Sequence, residues 1–547
     1  VTGARVARGL CAAATLVVAL GGVAHARFDP ARALVEPDAV ARRFPDPDVT
    51  YDTPGFRPGR ADFTSHDELV AWVEALQRDT GAFGVRAIGR SRENRVIPML
   101  VFGTGDAVTG EAIQASGRPT ILIVAQQHGN EPAGSEAALV VAQRLARGDL
   151  RALLARINVL IVPHANPDGA EAFVRDTAVK IDMNRDHLLL RTPEAQAIAR
   201  VAREYRPDVV VDAHEFTVLD RWVAKFGGAM RYDALVQYAT VGNLPEPIAR
   251  ASERPFREAI VGALERAGLV PHWYFTTEAG STDTTVSMGG VQPDTWRNVG
   301  GLRNAVSFLL ETRGVGIGRA HFKRRVRTHE LTMEALLRTV AADPAGVHAT
   351  SQAAADAVAG AACRGSYVVA AEAHRTTHDL TFVDMASGDD RVVQVPWRDA
   401  LQLDVVRARP RPCGYLLDPS AVDAASGLRA LGVVVERVSA AASVQAEKIE
   451  VVKSEAGKRA DARGAIDDPS EVQRLTVAVS PAARLDAPAG AFYVSMAQPL
   501  ANLAAAALEP DSQNSFAANG RLTVTRGIGL VRVVEPLRAT RYVWDGP

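Results

Sequence analysis

Between residues 65 and 316 the chain alternates short apolar runs with stretches of helical spacing. Residues 121–125, 157–162, 209–211 and 305–310 are continuous apolar runs of strand length, as buried strands are. Residues 136–147 and 192–205 instead space their apolar side chains three and four apart, and Thr192-Pro193 marks a helix start. Strands alternating with helices predict an α/β fold, a mainly parallel mixed sheet with helices on both faces. After about residue 341 the texture changes. Residues 349–362 are Ala-rich and read as helix. Strand-like pieces follow at 367–371, 380–383, 391–395, 449–452 and 475–479, and 488–510 reads as a strand followed by an apolar helix. The charged stretch 447–474 reads as an exposed hairpin tip or loop. Residues 65–340 are therefore expected to form a catalytic domain, and 345–547 a smaller α+β or β-rich region.

The first residues read differently. Arg5 and Arg8 precede an apolar stretch at 10–23, and Ala24-His25-Ala26 has the small-x-small pattern of a cleavage site. Residues 1–26 are expected to be a signal peptide and 27–64 an N-terminal extension, in an exported protein that is periplasmic or secreted. Fourteen apolar residues are short for a membrane span, and no later run approaches that length.

Composition adds mainly exclusions. Of 547 residues 47% are hydrophobic and 23% charged, which argues against global disorder. With 62 basic and 63 acidic residues the formal net charge is −1, so bulk charge gives no reason to expect nucleic acid as a partner. Three cysteines make no disulfide scaffold. Export would remove Cys11 and leave Cys363 and Cys413, an even pair whose contact the sequence leaves open.

Chemistry enters where the apolar runs end. Residues 121–125 run into Gln126-Gln127-His128-Gly129-Asn130-Glu131, residues 209–211 into Asp212-Ala213-His214, and residues 305–310 into Glu311-Thr312-Arg313. In a parallel sheet these endings share the carboxyl edge, where ligand sites of open α/β folds lie. His128 and Glu131 stand about one helical turn apart, close enough to hold one ion, with His214 as third ligand. Two His and one Glu with a fourth position open are the donors of a hydrolytic zinc site, which makes hydroxide available at neutral pH. Glu311 is the candidate general base, passing a proton from water to a leaving amine.

These segments resemble the zinc carboxypeptidase family of metallopeptidases. Ser91-Arg92-Glu93-Asn94-Arg95 resembles the family's S-x-E-G-R turn, with Asn94 where Gly is usual. His128-Gly129-Asn130-Glu131 is similar to its first two zinc ligands, and Asn166-Pro167-Asp168-Gly169 to its NPDG turn. Asp182-Met183-Asn184-Arg185 resembles its D-x-N-R segment and Glu311-Thr312-Arg313 its E-x-R strand end, with His214 between them. The resemblance implies one zinc ion on His128, Glu131 and His214. It further implies Asn184 and Arg185 on the substrate's terminal carboxylate, and Asp182 behind the first His ligand. Arg175, nine residues before Asn184, takes the place of the arginine that polarises the scissile carbonyl. Substrates would be the C-termini of peptides or proteins, cell-wall peptides among them.

The chain also departs from the family. Asn130 replaces an Arg of the pancreatic members, and Gly289 stands where those members carry a mobile Tyr, with Tyr274 a poorly spaced substitute. The family's specificity position falls near Trp296. Arg297 or Arg303 there would favour acidic C-terminal residues, Asp294 basic ones and Trp296 aromatic ones. Two alternatives carry less of the pattern. A zinc amidohydrolase of the aspartoacylase and succinylglutamate desuccinylase kind shares the HGNE-type motif but leaves the leader, NPDG and D-x-N-R unexplained. A non-catalytic peptide-binding relative leaves Glu311 unexplained. Among the other histidines, His164 reads as structural, and His374 and His378 as a solvated turn.

Overall fold

The computed structural model describes residues 28–103, 105, 107–525 and 527–546. The signal-peptide expectation for 1–26 lies outside the described residues. The strands up to residue 315 are β1 (Gly84–Arg90), β2 (Val96–Phe102), β3 (Thr120–Ala125), β4 (Asn158–Val162), β5 (Val209–Thr217), β6 (Gly228–Met230), β7 (Ala234–Tyr238), β8 (Pro271–Trp273), β9 (Val286–Ser287) and β10 (Val306–Val315). Eight of them form one twisted sheet in the order β1-β2-β4-β3-β5-β10-β7-β8. Its centre, β4-β3-β5-β10, is parallel, while β2 and β7 join antiparallel on either side. The sheet is thus mixed with a parallel heart. Central strands buried on both faces explain the uninterrupted apolar run at 121–125.

Helices cover both faces. Pro193–Tyr205 starts where Thr192 caps it, the Thr192 hydroxyl accepting from the Ala195 amide at 3.2 Å with Pro193 at its first position. Its buried side packs among Leu122, Val124, Leu160 and Val210, whereas Ala133–Arg147 packs on the opposite side among Ile121, Ile123 and Val211. Helix His66–Thr80 opens on a Ser65–Glu68 capping box.

Beyond the helix Pro344–Gly360, two long strands, β11 (Ser366–Asp384) and β12 (Asp390–Pro410), form a hairpin that pairs with β6 and β9. His374 and His378 therefore lie within a strand, not in a solvated turn. Residues 375–377 of the hairpin are exposed, which leaves no apolar alternation for the sequence to display. A third sheet contains β13 (Gly414–Leu417), β14 (Glu436–Val438) and β15 (Ala442–Gly457). β16 (Ala460–Asp461) and β17 (Gly464–Ala465) form a small hairpin at the end of an arm made by β15 and β18 (Val472–Val479). The arm's tip is not an exposed loop. Arg459 is 3% exposed and Asp468 6%, because the tip folds back onto the first sheet's carboxyl edge.

Cys363 and Cys413 are joined in a disulfide, with Cα atoms 4.3 Å apart, closing the base of the β11–β12 hairpin. Replacing either cysteine by Ser is expected to cost about 2–4 kcal/mol of stability. Denaturant unfolding of the variant and of the wild type, with and without reductant, measures this. An unchanged midpoint would deny the bridge a structural role.

Candidate metal centre and active site

Three strand ends converge as their register requires. His214 on β5 lies directly beside Glu311 on β10, and Asp212 beside Leu309. β3 runs in register with β5 up to Ala125, after which the chain turns through Gln126, at φ +54°, and brings in His128 and Glu131. His128 Nδ1 and His214 Nδ1 stand 3.0 Å apart, and each is 2.8 Å from a Glu131 carboxylate oxygen. All three side chains are buried. The outer nitrogens are both committed: His128 Nε2 donates to Asp182 Oδ1 at 3.0 Å and His214 Nε2 to Asp212 Oδ1 at 2.6 Å. Those hydrogen bonds fix the tautomers and turn both Nδ1 lone pairs towards one point. Two lone pairs and a carboxylate so close need a cation between them, so the donor set fits a zinc ion.

The electrostatics agree. Burial alone would lower the His214 pKa, but the carboxylates of Asp212 and Glu131 raise it to about 10. Burial opposes the charge of Glu131 as well, yet His128 and His214 hold it well below the usual carboxylate range. Metal binding at such a site displaces a proton. The Glu215 backbone amide fixes the Glu131 carboxylate by donating to its Oε2 at 3.1 Å.

Glu311 faces the same cleft as the triad. Burial, and then the negative charge of Glu131, pushes its carboxyl up to about 7. Its carboxylate makes no hydrogen bond or ion pair among the described residues, and Arg313 bonds to Glu36 instead. Arg175 spans Asp182 at 2.8 Å and Glu131 at 3.4 Å with a half-buried guanidinium. Asp182 is held far below its ordinary pKa: burial opposes its charge, but Arg175, His128 and Arg185 outweigh that.

Asn184 and Arg185 line the cleft, but each already has partners. The Asn184 amide nitrogen donates to Asp212 Oδ2 at 3.0 Å, and its oxygen accepts from the Trp296 amide at 2.7 Å. Arg185 Nε donates to Asp461 Oδ2 at 2.9 Å, and its Nη2 reaches the same oxygen. Asp461 comes from the arm's tip, as does Arg463, which also lines the cleft. Distant ion pairs of this kind leave no periodic trace in a sequence. Asp212 was also missed, although Asp212-x-His214 on a strand places both side chains on one face. Tyr274 lies in the cleft, and a Cβ on Gly289 would come within 2.8 Å of its ring.

The outlying motifs hold the loops in place. Asp168 accepts from the Ser91 hydroxyl at 2.6 Å, the Glu93 amide at 2.9 Å and Arg95 Nη1 at 2.7 Å. Asn94 adopts φ +67°, a left-handed conformation that Asn tolerates nearly as Gly does. His164 is stacked on His66 and does not line the cleft.

Residues 69–246 match the family model for zinc carboxypeptidase, a stretch that contains His128, Glu131 and His214 and ends before Glu311. The matched stretch is a zinc carboxypeptidase domain. The chain that carries it is a metallocarboxypeptidase, a hydrolase whose domain family depends on zinc. Carboxypeptidase 2 of Trichophyton rubrum is 28% identical over 480 residues, covering 86% of this chain and 87% of the relative. Carboxypeptidase 2 of Trichophyton equinum is 28% identical over 479 residues with the same coverage. A solved metallo-carboxypeptidase from Burkholderia cenocepacia is 19% identical, covers 51% of this chain and 69% of its own, and superposes with a TM-score of 0.38. Among the described residues no helix is long and apolar enough to cross a membrane.

Proposed function

We propose that the domain at 65–340 of an exported chain hydrolyses the C-terminal bond of peptides, with Glu311 as general base. The observation that carries this reading is the convergence of His128, Glu131 and His214 beside an unpaired Glu311. A zinc ion on those three side chains would act as Lewis acid, lowering the pKa of water towards about 7 and polarising a carbonyl. Glu311 takes up a proton and returns it to the leaving amine. Arg175 sets positive charge where an oxyanion develops. Asp182 and Asp212 keep the two imidazoles oriented. Asn184 and Arg185 receive the substrate's terminal carboxylate, which on Arg185 competes with Asp461. Export is supported by the disulfide, since such bonds persist in oxidising compartments.

The test is release of C-terminal residues by the purified protein from peptides and from their amidated counterparts, before and after chelation. Release that needs a free carboxylate, stops with chelator and returns with zinc is the expected result. Equal cleavage of amidated peptides would remove the carboxylate role of Arg185. Competition at Arg185 also predicts the effect of Asp461→Asn. KM for free-carboxylate peptides should fall about tenfold, as ~1.4 kcal/mol of recovered charge-assisted hydrogen bonding would give. An unchanged KM would show that Asp461 does not compete.

A further inference from the structure

Five guanidinium groups line the cleft, and they differ in what neutralises them. Arg175 is paired with Asp182 and Glu131, and Arg185 with Asp461. Arg463 lies 3.4 Å from Asp461 and 3.6 Å from Asp182. Arg221 and Arg297 have no carboxylate partner among the described residues.

Arg297 is the more deeply set of these two, at 3% exposure. Its hydrogen bonds all go to neutral oxygens: Nη2 to Gly290 O at 3.1 Å and Thr240 Oγ1 at 3.3 Å, and Nε to Asn298 Oδ1 at 3.3 Å. Nη1 has no partner. Burial lowers the Arg297 pKa to about 10; Tyr274, Asp212 and Glu311 oppose the fall from nearby without bonding to it. An unpaired buried cation is costly, and the cost is recovered when an anion arrives. At position 289 a glycine, with φ +91°, keeps side chains away from this guanidinium; a Cβ there would stand 3.7 Å from Nη2.

The neighbours that the sequence left as rivals face elsewhere. Trp296 and Arg303 line a separate cavity on the other side of their helix, and Arg303 Nη1 bonds to Leu431 O. Asp294 does not line the cleft and sits 3.9 Å from Arg459.

We infer that Arg297 is the specificity-determining residue of the cleft, and that it selects peptides whose C-terminal residue carries an acidic side chain. The inference rests on the proposed function, which assigns the terminal carboxylate to Asn184 and Arg185. The side-chain carboxylate is then the second anion, and Arg297 Nη1 its donor. A forked guanidinium suits a carboxylate better than it suits a carboxamide of the same shape.

The experiment compares zinc-loaded wild type, Arg297→Gln and Arg297→Lys on one peptide series ending in Glu, Gln, Leu or Lys, at pH 7.5. In the wild type, kcat/KM for the Glu peptide should exceed that for the Gln peptide at least tenfold. That ratio should collapse towards one in Arg297→Gln and be partly restored in Arg297→Lys. Wild-type preference for Leu or Lys would overturn the inference while leaving the proposed function standing, because release still occurs. A preference for Glu that survives Arg297→Gln overturns the assignment to Arg297. No zinc-dependent release from any peptide overturns the proposed function and this inference with it. The wild-type series needs no variant to fold.

Discussion

Glu311→Gln is expected to lower kcat by roughly 10²–10⁴-fold, with zinc content retained and KM little changed. The amide has the shape of the carboxylate but cannot take up a proton. Nothing structural should be lost with the charge, since the Glu311 carboxylate makes no hydrogen bond or ion pair among the described residues. Stability carries a second signature. Burial and Glu131 raise the Glu311 pKa from 4.5 to about 7, so the native metal-free state holds a proton that the unfolded chain releases. A raised carboxyl pKa means that stability falls as pH rises from 4.5 to 7 and stays lower above it. The Gln variant escapes that loss. In metal-free protein its Tm should therefore exceed the wild-type value at pH 8, and the difference should vanish near pH 4. Wild-type kcat in the variant would remove Glu311 as base. A lower Tm at pH 8 would show that the carboxylate has a structural partner.

The segments that a sequence displays best are those whose reason for existing is local. The run 121–125 is apolar throughout because both its faces are covered, and Thr192-Pro193 caps and starts a helix by its own geometry. His128, Glu131 and His214 were visible because each follows a buried strand, and parallel pairing brings such ends together. The arm was not visible. Its charges read as solvated, yet Arg459 and Asp468 are buried in the contact between the arm and the first sheet's edge. Asp468 and Asp461 of the arm pair with Arg191 and Arg185, which stand far away in sequence, and ion pairing of that kind has no period. Arg297 was visible only as one of four rivals, because a single helical turn points neighbouring side chains into different cavities. Asn94 looked like a departure from its motif but satisfies the same left-handed backbone as the usual glycine.

Gly129, between His128 and Asn130, has a stricter requirement than any conformational one. A Cβ there would lie 1.8 Å from the Gly169 carbonyl carbon, 2.0 Å from its oxygen and 2.3 Å from the Ala170 nitrogen. All three atoms are backbone, so no side chain can turn aside. The two loops are also tied together, the Asn166 amide donating to Gln126 O at 3.2 Å and Asn166 Nδ2 to Gln127 O at 3.1 Å. Contact between the HGNE and NPDG turns is thus what sets His128 facing His214, and it leaves room for a hydrogen only. Gly129→Ala is expected to destabilise the protein by more than about 4 kcal/mol, the range in which backbone itself must move. Protein that still folds should bind zinc at well below one equivalent. Gly262→Ala is the control: within helix Glu258–Arg266 its Cβ meets only the mobile end of Arg266, at 3.0 Å, and should be neutral or stabilising by up to about 1 kcal/mol. Denaturant midpoints and bound zinc, measured side by side, separate the two substitutions. Full zinc occupancy and unchanged stability in Gly129→Ala would show that the two turns are free to part.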